Sequence, residues 1–119
     1  MVEKIRSFRD LKIWSEGISL VKEIYELTKG FPKEESYGLS SQMRRAAVSI
    51  PSNIAEGFRR KYNKEYKQFL NISLGSLAEL ETQTVIAKEL NYIVANNAEQ
   101  VTEKIDYICR MIVNLQKML

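Results

Sequence analysis

Histidine is absent from this 119-residue sequence, and cysteine and tryptophan each occur once. Without histidine, neither a Cys/His metal cluster nor the Glu-x-x-His motif of di-iron helix bundles can form. The single cysteine, Cys109, excludes a disulfide within the chain. These absences predict a protein that has no metal and no cofactor and that works in a reducing, cytoplasmic setting.

Long hydrophobic runs are also missing. No uncharged run reaches the roughly 18 residues of a membrane span, and the first residues, MVEKIRSF, contain no apolar core of a signal peptide. We therefore expect a soluble protein that is not exported and has no membrane partner. A chain of this length buries roughly 65% of its unfolded surface, which is enough for one domain over residues 1–119.

Four amphipathic runs make up most of the chain, and no alternating strand pattern competes with them. They predict an all-α fold, an antiparallel up-down-up-down four-helix bundle, with helices at about residues 10–29, 37–61, 64–90 and 98–118. Gly30 and Asn91 are predicted to end helices in the left-handed conformation, and Asn63 to cap the third helix. The small residues Gly57 and Gly75 should let a neighbouring helix approach closely.

The spacing of apolar residues predicts which side of each helix faces the core. In helix 1 the main stripe is Leu11, Trp14, Ile18, Val21, Tyr25 and Thr28, widened by Ile13, Leu20, Ile24 and Leu27. In helix 3 it is Tyr66, Phe69, Leu70, Leu74, Leu77, Leu80, Thr84 and Ala87. In helix 4 it is Val101, Ile105, Ile108, Ile112, Leu115 and Leu119.

Helix 2 contains a proline in its middle. Its apolar residues keep one phase across Pro51: Leu39, Met43, Ala46, Ala47, Ile50, Ile54, Gly57 and Phe58. The pattern predicts a helix that continues and is kinked at Pro51, because proline removes one donor and crowds the preceding turn. Surplus apolar width, including Val48 and Ala55, predicts a homo-oligomer.

The opposite side of helix 2 is polar and basic. Arg45, Ser49, Ser52, Glu56 and Arg60 form a stripe at helical spacing, with Arg59 beside it. Residues 44–67 hold seven Lys or Arg and two Glu, whereas the rest of the chain is neutral or acidic. Such a patch is typical of a phosphate-binding surface, and it is equally typical of a solvated face.

Aromatic residues alternate with this charge at the end of helix 2. Tyr62 lies among the basic residues, and Phe58 and Tyr66 are either base-stacking platforms or core residues. We predict that RNA binds to Arg45, Arg59, Arg60, Lys61 and Lys64. Glu56 is expected to pair with Arg60 or Arg59 as an ordinary surface ion pair.

The segments RRAAVSIPSNIAEGFRR and YNKEYKQFLNISLGSLAELETQ, with FRDLKIW and YGLSSQMRRAA, resemble the 23S rRNA intervening-sequence protein family. The resemblance covers roughly residues 8–93. It implies a small bacterial four-helix bundle, a homopentamer and a role in RNA binding, and it supplies no catalytic residues. The accessory variability protein of diversity-generating retroelements is similar to this family.

Other chemistry is sparse. Ser19-x-x-Lys22 matches a serine/lysine spacing without its companion motifs, Glu79 and Glu81 point in different directions, and Cys109 adjoins the helix 4 seam. We therefore expect a non-enzymatic homo-oligomer that binds RNA, such as ribosomal RNA. The alternative is a protein-interaction scaffold that docks a nucleic-acid enzyme such as a reverse transcriptase.

Overall fold

The computed structural model describes residues 5–119, and four helices occupy most of that range. They are α1 (Lys12–Thr28), α2 (Leu39–Phe58), α3 (Asn63–Glu89) and α4 (Ala95–Lys117). Two 3-10 turns, Phe8–Asp10 and Lys33–Glu35, precede α1 and α2. No strand occurs in this part of the chain. The predicted all-α bundle is confirmed.

The helices pack in a closed ring, each against the next and α4 against α1. Where two neighbouring helices contact each other, the residue numbers increase along one helix while those of their partners decrease along the other. This is the arrangement of antiparallel helices. The pairs are Gly17 with Pro51 and Thr28 with Arg44, Ser49 with Ser76 and Gly57 with Phe69, and Lys12 with Tyr107 and Ser19 with Lys104.

The core consists of one apolar face from each helix. The seam of α4 is buried at Val101, Ile105, Ile108 and Ile112, as its spacing predicts, and α2 buries its predicted face from Met43 to Gly57. In α3, the polar residues Ser73, Ser76 and Gln83 are buried beside the predicted leucines. Burial of these helix faces is the main stabilising contribution to the fold.

The predicted main stripe of α1 needs correction. The buried residues are Ile13, Gly17, Leu20, Ile24 and Thr28. Trp14, Ile18 and Val21 are only half-buried, and Tyr25 is exposed. The helix is apolar over nearly half its circumference, and Gly17 lies at the centre of the buried side without adding to the hydrophobic pattern. The spacing of apolar residues in α1 therefore predicted the wrong edge of its wide apolar face as the buried one.

Pro51 lies inside α2, and the helix continues through it as predicted. The carbonyls of the same turn receive side-chain donors: Ser73 Oγ donates to the Ile50 oxygen at 2.9 Å, and Asn53 Nδ2 donates to the Ser49 oxygen at 2.8 Å. The proline ring faces Gly17 of α1, which has no side chain to collide with it. The kink at Pro51 stays a prediction.

The α1 and α3 termini show one confirmed and two wrong predictions. Asn91 has φ 62°, and the Tyr92 amide donates to the Ala87 carbonyl at 2.9 Å, which is the Schellman arrangement. Gly30 is not left-handed, because Gly30 and Phe31 close the end of α1 with right-handed i to i+3 bonds. Asn63 is the first helical residue, and extended Tyr62 precedes it as the cap.

Helix α4 begins at Ala95, one turn earlier than expected. Val94 is its extended N-cap residue, and no side chain caps the helix. Asn96 and Asn97 therefore lie in the first turn of α4 instead of in the connection. Two asparagines in sequence favour a turn, but Ala98 is buried and fixes this turn on the core.

Candidate nucleic-acid interface

The basic residues after α2 lie in a turn, not on the helix. α2 ends at Phe58, Arg59 is its C-cap, and Arg60, Lys61 and Tyr62 connect it to α3. Lys64 lies in the first turn of α3. The predicted helix extended to residue 61; the structure instead gathers these four basic side chains at one end of the bundle, all exposed. We call Arg59, Arg60, Lys61 and Lys64 the α2–α3 basic surface.

Aromatic rings lie under three of these cations. The Arg59 guanidinium is 5.1 Å from the centroid of Phe8, the Arg60 guanidinium is 4.6 Å from that of Phe69, and Lys61 Nζ is 5.6 Å from that of Tyr62. Each such contact contributes about 0.5–1 kcal/mol at an exposed site. The rings restrain the long side chains and so lower the entropy cost of holding a ligand.

One carboxylate reaches this surface. Glu56 Oε1 accepts from Arg60 Nη2 at 2.9 Å, which confirms the predicted surface pair. Both side chains are about half exposed, so the pair contributes only a few tenths of a kcal/mol. Among residues 5–119, no salt bridge involves Arg59, Lys61 or Lys64.

A shallow depression of about 620 Å³ lies beside Arg59 and Arg60. Its walls come from α2, from the turn that follows α2 and from the 3-10 turn before α1: Phe8, Ser52, Ala55, Glu56, Arg59 and Arg60. Sequence reasoning missed Phe8, which is held by Trp14 with ring centroids 5.4 Å apart. In the sequence, Phe8 stands out only as an apolar residue just before helix 1. No local pattern reveals its contact with Arg59, which lies 51 positions later.

Arg45 does not belong to this surface, and its predicted grouping with the other four residues is corrected. It precedes Arg59 by 14 positions, about 21 Å along a helix, and lines a different pocket at the opposite end of α2. The predicted stripe is also interrupted at Ser49. Ser49 Oγ is bonded to Asn53 and to Ser76 of α3, each at 2.9 Å, because α3 covers that edge of α2.

The aromatic residues divide between packing and exposure. Phe58 and Tyr66 pack edge to face at 6.2 Å, and burial raises the pKa of the Tyr66 phenol. They therefore act as structural residues at the α2–α3 contact. Tyr62 is 60% exposed, and its ring is open to a stacking partner.

The similarity of this chain to known proteins lies at the level of the family. The family model of the 23S rRNA-intervening sequence protein matches residues 9–114, nearly the whole chain. The chain belongs to this family. No functionally curated protein matches it.

A solved structure supports the fold of this family member. It is a protein of unknown function from the S23 ribosomal protein family of Bacteroides thetaiotaomicron, 19% identical. The match covers 88% of this chain and 98% of that one, with a TM-score of 0.79. At this identity the likeness concerns the fold alone.

The other residues considered for catalysis or reactivity, Ser19, Glu79 and Cys109, make contacts that stabilise the fold or are partly buried. Ser19 Oγ accepts from Lys104 Nζ at 2.7 Å, and Glu79 accepts from Gln83. Burial, more than the nearby carboxylates, raises the pKa of the Cys109 thiol, so the thiol stays protonated. The described part of the chain contains no group of side chains that could hold a metal ion.

A helix that spans a membrane must be both long and apolar. No helix within residues 5–119 meets both requirements. Helix α3, the longest, exposes charged residues along its length.

Proposed function

We propose that this protein is a non-enzymatic, homo-oligomeric bundle of the cytoplasm that binds RNA through the α2–α3 basic surface. The observation that supports this most is the gathering of Arg59, Arg60, Lys61 and Lys64 at one end of the bundle, where Glu56 is the one acidic side chain bonded to any of them within residues 5–119. Lys67, one turn farther along α3, extends the same charge.

The geometry suits phosphate contacts better than base readout. Guanidinium and ammonium groups on an exposed turn reach the backbone of a single strand, and each phosphate neutralised releases counterions. The exposed ring of Tyr62 offers a stacking surface for one unpaired base. Binding by shape and charge, with little base preference, follows from this arrangement.

Self-association is supported by an apolar groove between α1 and α2. Its lining is mostly apolar, and Val48 is 41% exposed. The groove residues are Trp14, Ile18, Val21, Val48, Pro51, Ser52 and Ala55. A second copy of the chain would bury this surface. In the homopentamer that the family resemblance implies, ring symmetry would present five copies of the α2–α3 basic surface.

The test of RNA binding is a salt series on the parent and on a variant with both Arg59→Ala and Arg60→Ala. About four phosphate contacts per bundle predict a slope near −3 of log affinity against log salt. The double variant should bind all RNA sequences more weakly and flatten the slope by about one to two units. An unchanged slope with intact fold and assembly would reject the proposal.

The second candidate function is a protein scaffold that docks a nucleic-acid enzyme. The salt bridge between Arg60 Nη2 and Glu56 Oε1, which is 2.9 Å long, favours this function, because an acidic side chain already binds at the surface. An acidic partner protein would use the same guanidinium groups. Partner capture measured beside RNA affinity separates the two functions: a double variant that loses the protein partner and keeps RNA binding would put the scaffold first.

A further inference from the structure

A second basic pocket lies at the other end of α2, between the end of α1 and the first turn of α2. It has a volume of about 410 Å³, within the usual range of small-molecule sites. None of the carboxylates within residues 5–119 lines it. The lining residues that matter for binding are Tyr25, Thr28, Lys33, Ser40, Arg44 and Arg45. We call it the Arg44 pocket.

Arg44 is held in place by three contacts, none of them with an acid. Its Nε donates to Thr28 Oγ1 at 2.8 Å, its Nη2 donates to the Tyr25 carbonyl at 3.3 Å, and its guanidinium lies 4.4 Å from the centroid of Tyr25. Thr28 Oγ1 in turn donates to the Ile24 carbonyl at 2.7 Å. The guanidinium is thereby fixed with its remaining donors, including both on Nη1, available to an acceptor.

Ser40 supplies an independent observation. Its residue exposure is 7%, and its hydroxyl, which makes no hydrogen bond within residues 5–119, is open to the pocket that the residue lines. A hydroxyl in this position is a free donor for a ligand. Ser40 also lies in the first turn of a 20-residue helix, whose positive dipole end favours an anion. An anion in the pocket would give the hydroxyl its acceptor.

The nearby carboxylates are already engaged or face elsewhere. Glu26 pairs with Lys29 at 3.1 Å. Glu35 accepts from the Leu39 amide and from the Tyr92 hydroxyl, each at 2.9 Å, and Glu34 is exposed outside the lining. Among the described residues 5–119, Lys33, Arg44 and Arg45 are three cations that have no acidic partner. This excess suits a dianion better than a singly charged phosphodiester.

We propose that the Arg44 pocket binds a phosphate monoester, with Arg44, Arg45 and Ser40 as its direct ligands and Lys33 as a supporting charge. The site is separate from the α2–α3 basic surface and does not rest on RNA binding there. The same monoester chemistry has two sources, a free nucleotide or the 5′-phosphorylated end of an RNA.

The experiment titrates the full chain with adenosine 5′-monophosphate, with adenosine, and with short RNA oligomers that carry either a 5′-phosphate or a 5′-hydroxyl. Calorimetry should detect binding of the monophosphate and none of adenosine. A higher affinity for the 5′-phosphorylated oligomer than for the 5′-hydroxyl oligomer assigns the phosphate to an RNA end. Equal affinities of the two oligomers assign it to a free monoester.

Ser40→Ala is the decisive variant, because it removes a hydroxyl that has no partner in the fold. Its melting temperature without ligand should equal or exceed that of the parent, whereas monophosphate affinity should fall about tenfold. Arg45→Gln, at an exposed residue, should cause a similar loss. Arg59→Gln, at the other end of α2, is the matched control and should leave monophosphate affinity unchanged. Absence of monophosphate binding at millimolar concentration, or binding unaffected by Ser40→Ala and Arg45→Gln, would overturn the proposal.

Discussion

Gly57 of α2 lies directly against Phe69 of α3, next to the α2–α3 basic surface. A Cβ built on Gly57 would lie 2.9 Å from Phe69 Cβ and 3.2 Å from the Tyr66 carbonyl. Phe69 also holds the Arg60 guanidinium over its ring at 4.6 Å. A missing side chain on one helix therefore sets the position of a cation on the surface that we propose for RNA.

Gly57 is crowded by α3 and Gly75 is not, so the same change to alanine should affect stability differently at the two positions. Gly57→Ala should destabilise the protein by about 1–3 kcal/mol, since a backbone carbonyl blocks the added methyl group. Gly75→Ala is the control, because its Cβ would meet nothing within 4 Å and should add up to about 1 kcal/mol of helix stability. Urea denaturation of both variants measures the difference. Equal effects would show that α3 does not contact Gly57 in solution.

Removal of Pro51 should change assembly more than secondary structure. In Pro51→Ala, α2 should keep its length and lose the predicted kink, because the restored amide can bond the Ala47 carbonyl. Far-UV dichroism should stay unchanged, whereas light scattering should report a shifted oligomer distribution, since Pro51 lines the apolar groove. A loss of helix signal in the dichroism spectrum would contradict this expectation.

A charged residue in the apolar groove should dissociate the oligomer. Val48→Glu places a carboxylate where a second copy would bury Val48, and the parent mass of several chains should fall toward one chain in light scattering at micromolar concentration. Gln42→Glu adds the same charge at an exposed α2 residue outside the groove and should leave the mass unchanged. A parent that is a strict monomer would reject self-association altogether.

Because Glu56 pairs with Arg60, we expect Arg59 and Arg60 to contribute unequally to RNA binding. Arg60 already shares its charge with a carboxylate, and Arg59 does not, so Arg59→Ala should weaken RNA binding more than Arg60→Ala. Glu56→Gln should strengthen binding by up to about fivefold, the value of an exposed ion pair. Fluorescence anisotropy at fixed low salt compares the three variants. Weaker binding by Glu56→Gln would mean that the carboxylate itself contacts the ligand.

Glu35 joins the turn before α2 to the connection between α3 and α4, and its carboxylate predicts a pH dependence of stability. Bonds from the Leu39 amide, then from the Tyr92 hydroxyl, lower the pKa of Glu35. Its contribution to stability is therefore present at neutral pH and is lost as the pH falls through the lowered pKa. The bond to Glu35, more than burial, raises the pKa of Tyr92, so the phenol stays protonated at neutral pH.

The corresponding measurement compares the parent with Glu35→Gln across pH 2 to 7. The stability difference between the two proteins should be largest near neutral pH and should shrink in acid, where the parent carboxyl is protonated. Tyr92→Phe removes one of the two donors and should show part of the same effect. A stability difference that does not change with pH would assign the role of Glu35 to packing.

The sequence by itself determined the helical fold, the buried faces of α2 and α4, the continuity of α2 through Pro51 and the concentration of positive charge after it. These features follow from periodicity and composition, which are local properties of a helix. The edge of the wide apolar face of α1 that is buried was decided by the neighbouring helices. So was the inward position of Ser49, because α3 covers that edge of α2.

The arrangement of the candidate sites was likewise decided by the tertiary structure. Phe8 meets Arg59 only because the turn before α1 packs on the end of α2. The helix rise separates Arg45 from Arg59, although both belong to one basic stretch of the sequence. The Arg44 pocket forms because Thr28 and Tyr25, far from Arg44 along the chain, fix its guanidinium. Contacts between distant residues depend on how helices pack, and no pattern within one helix specifies them.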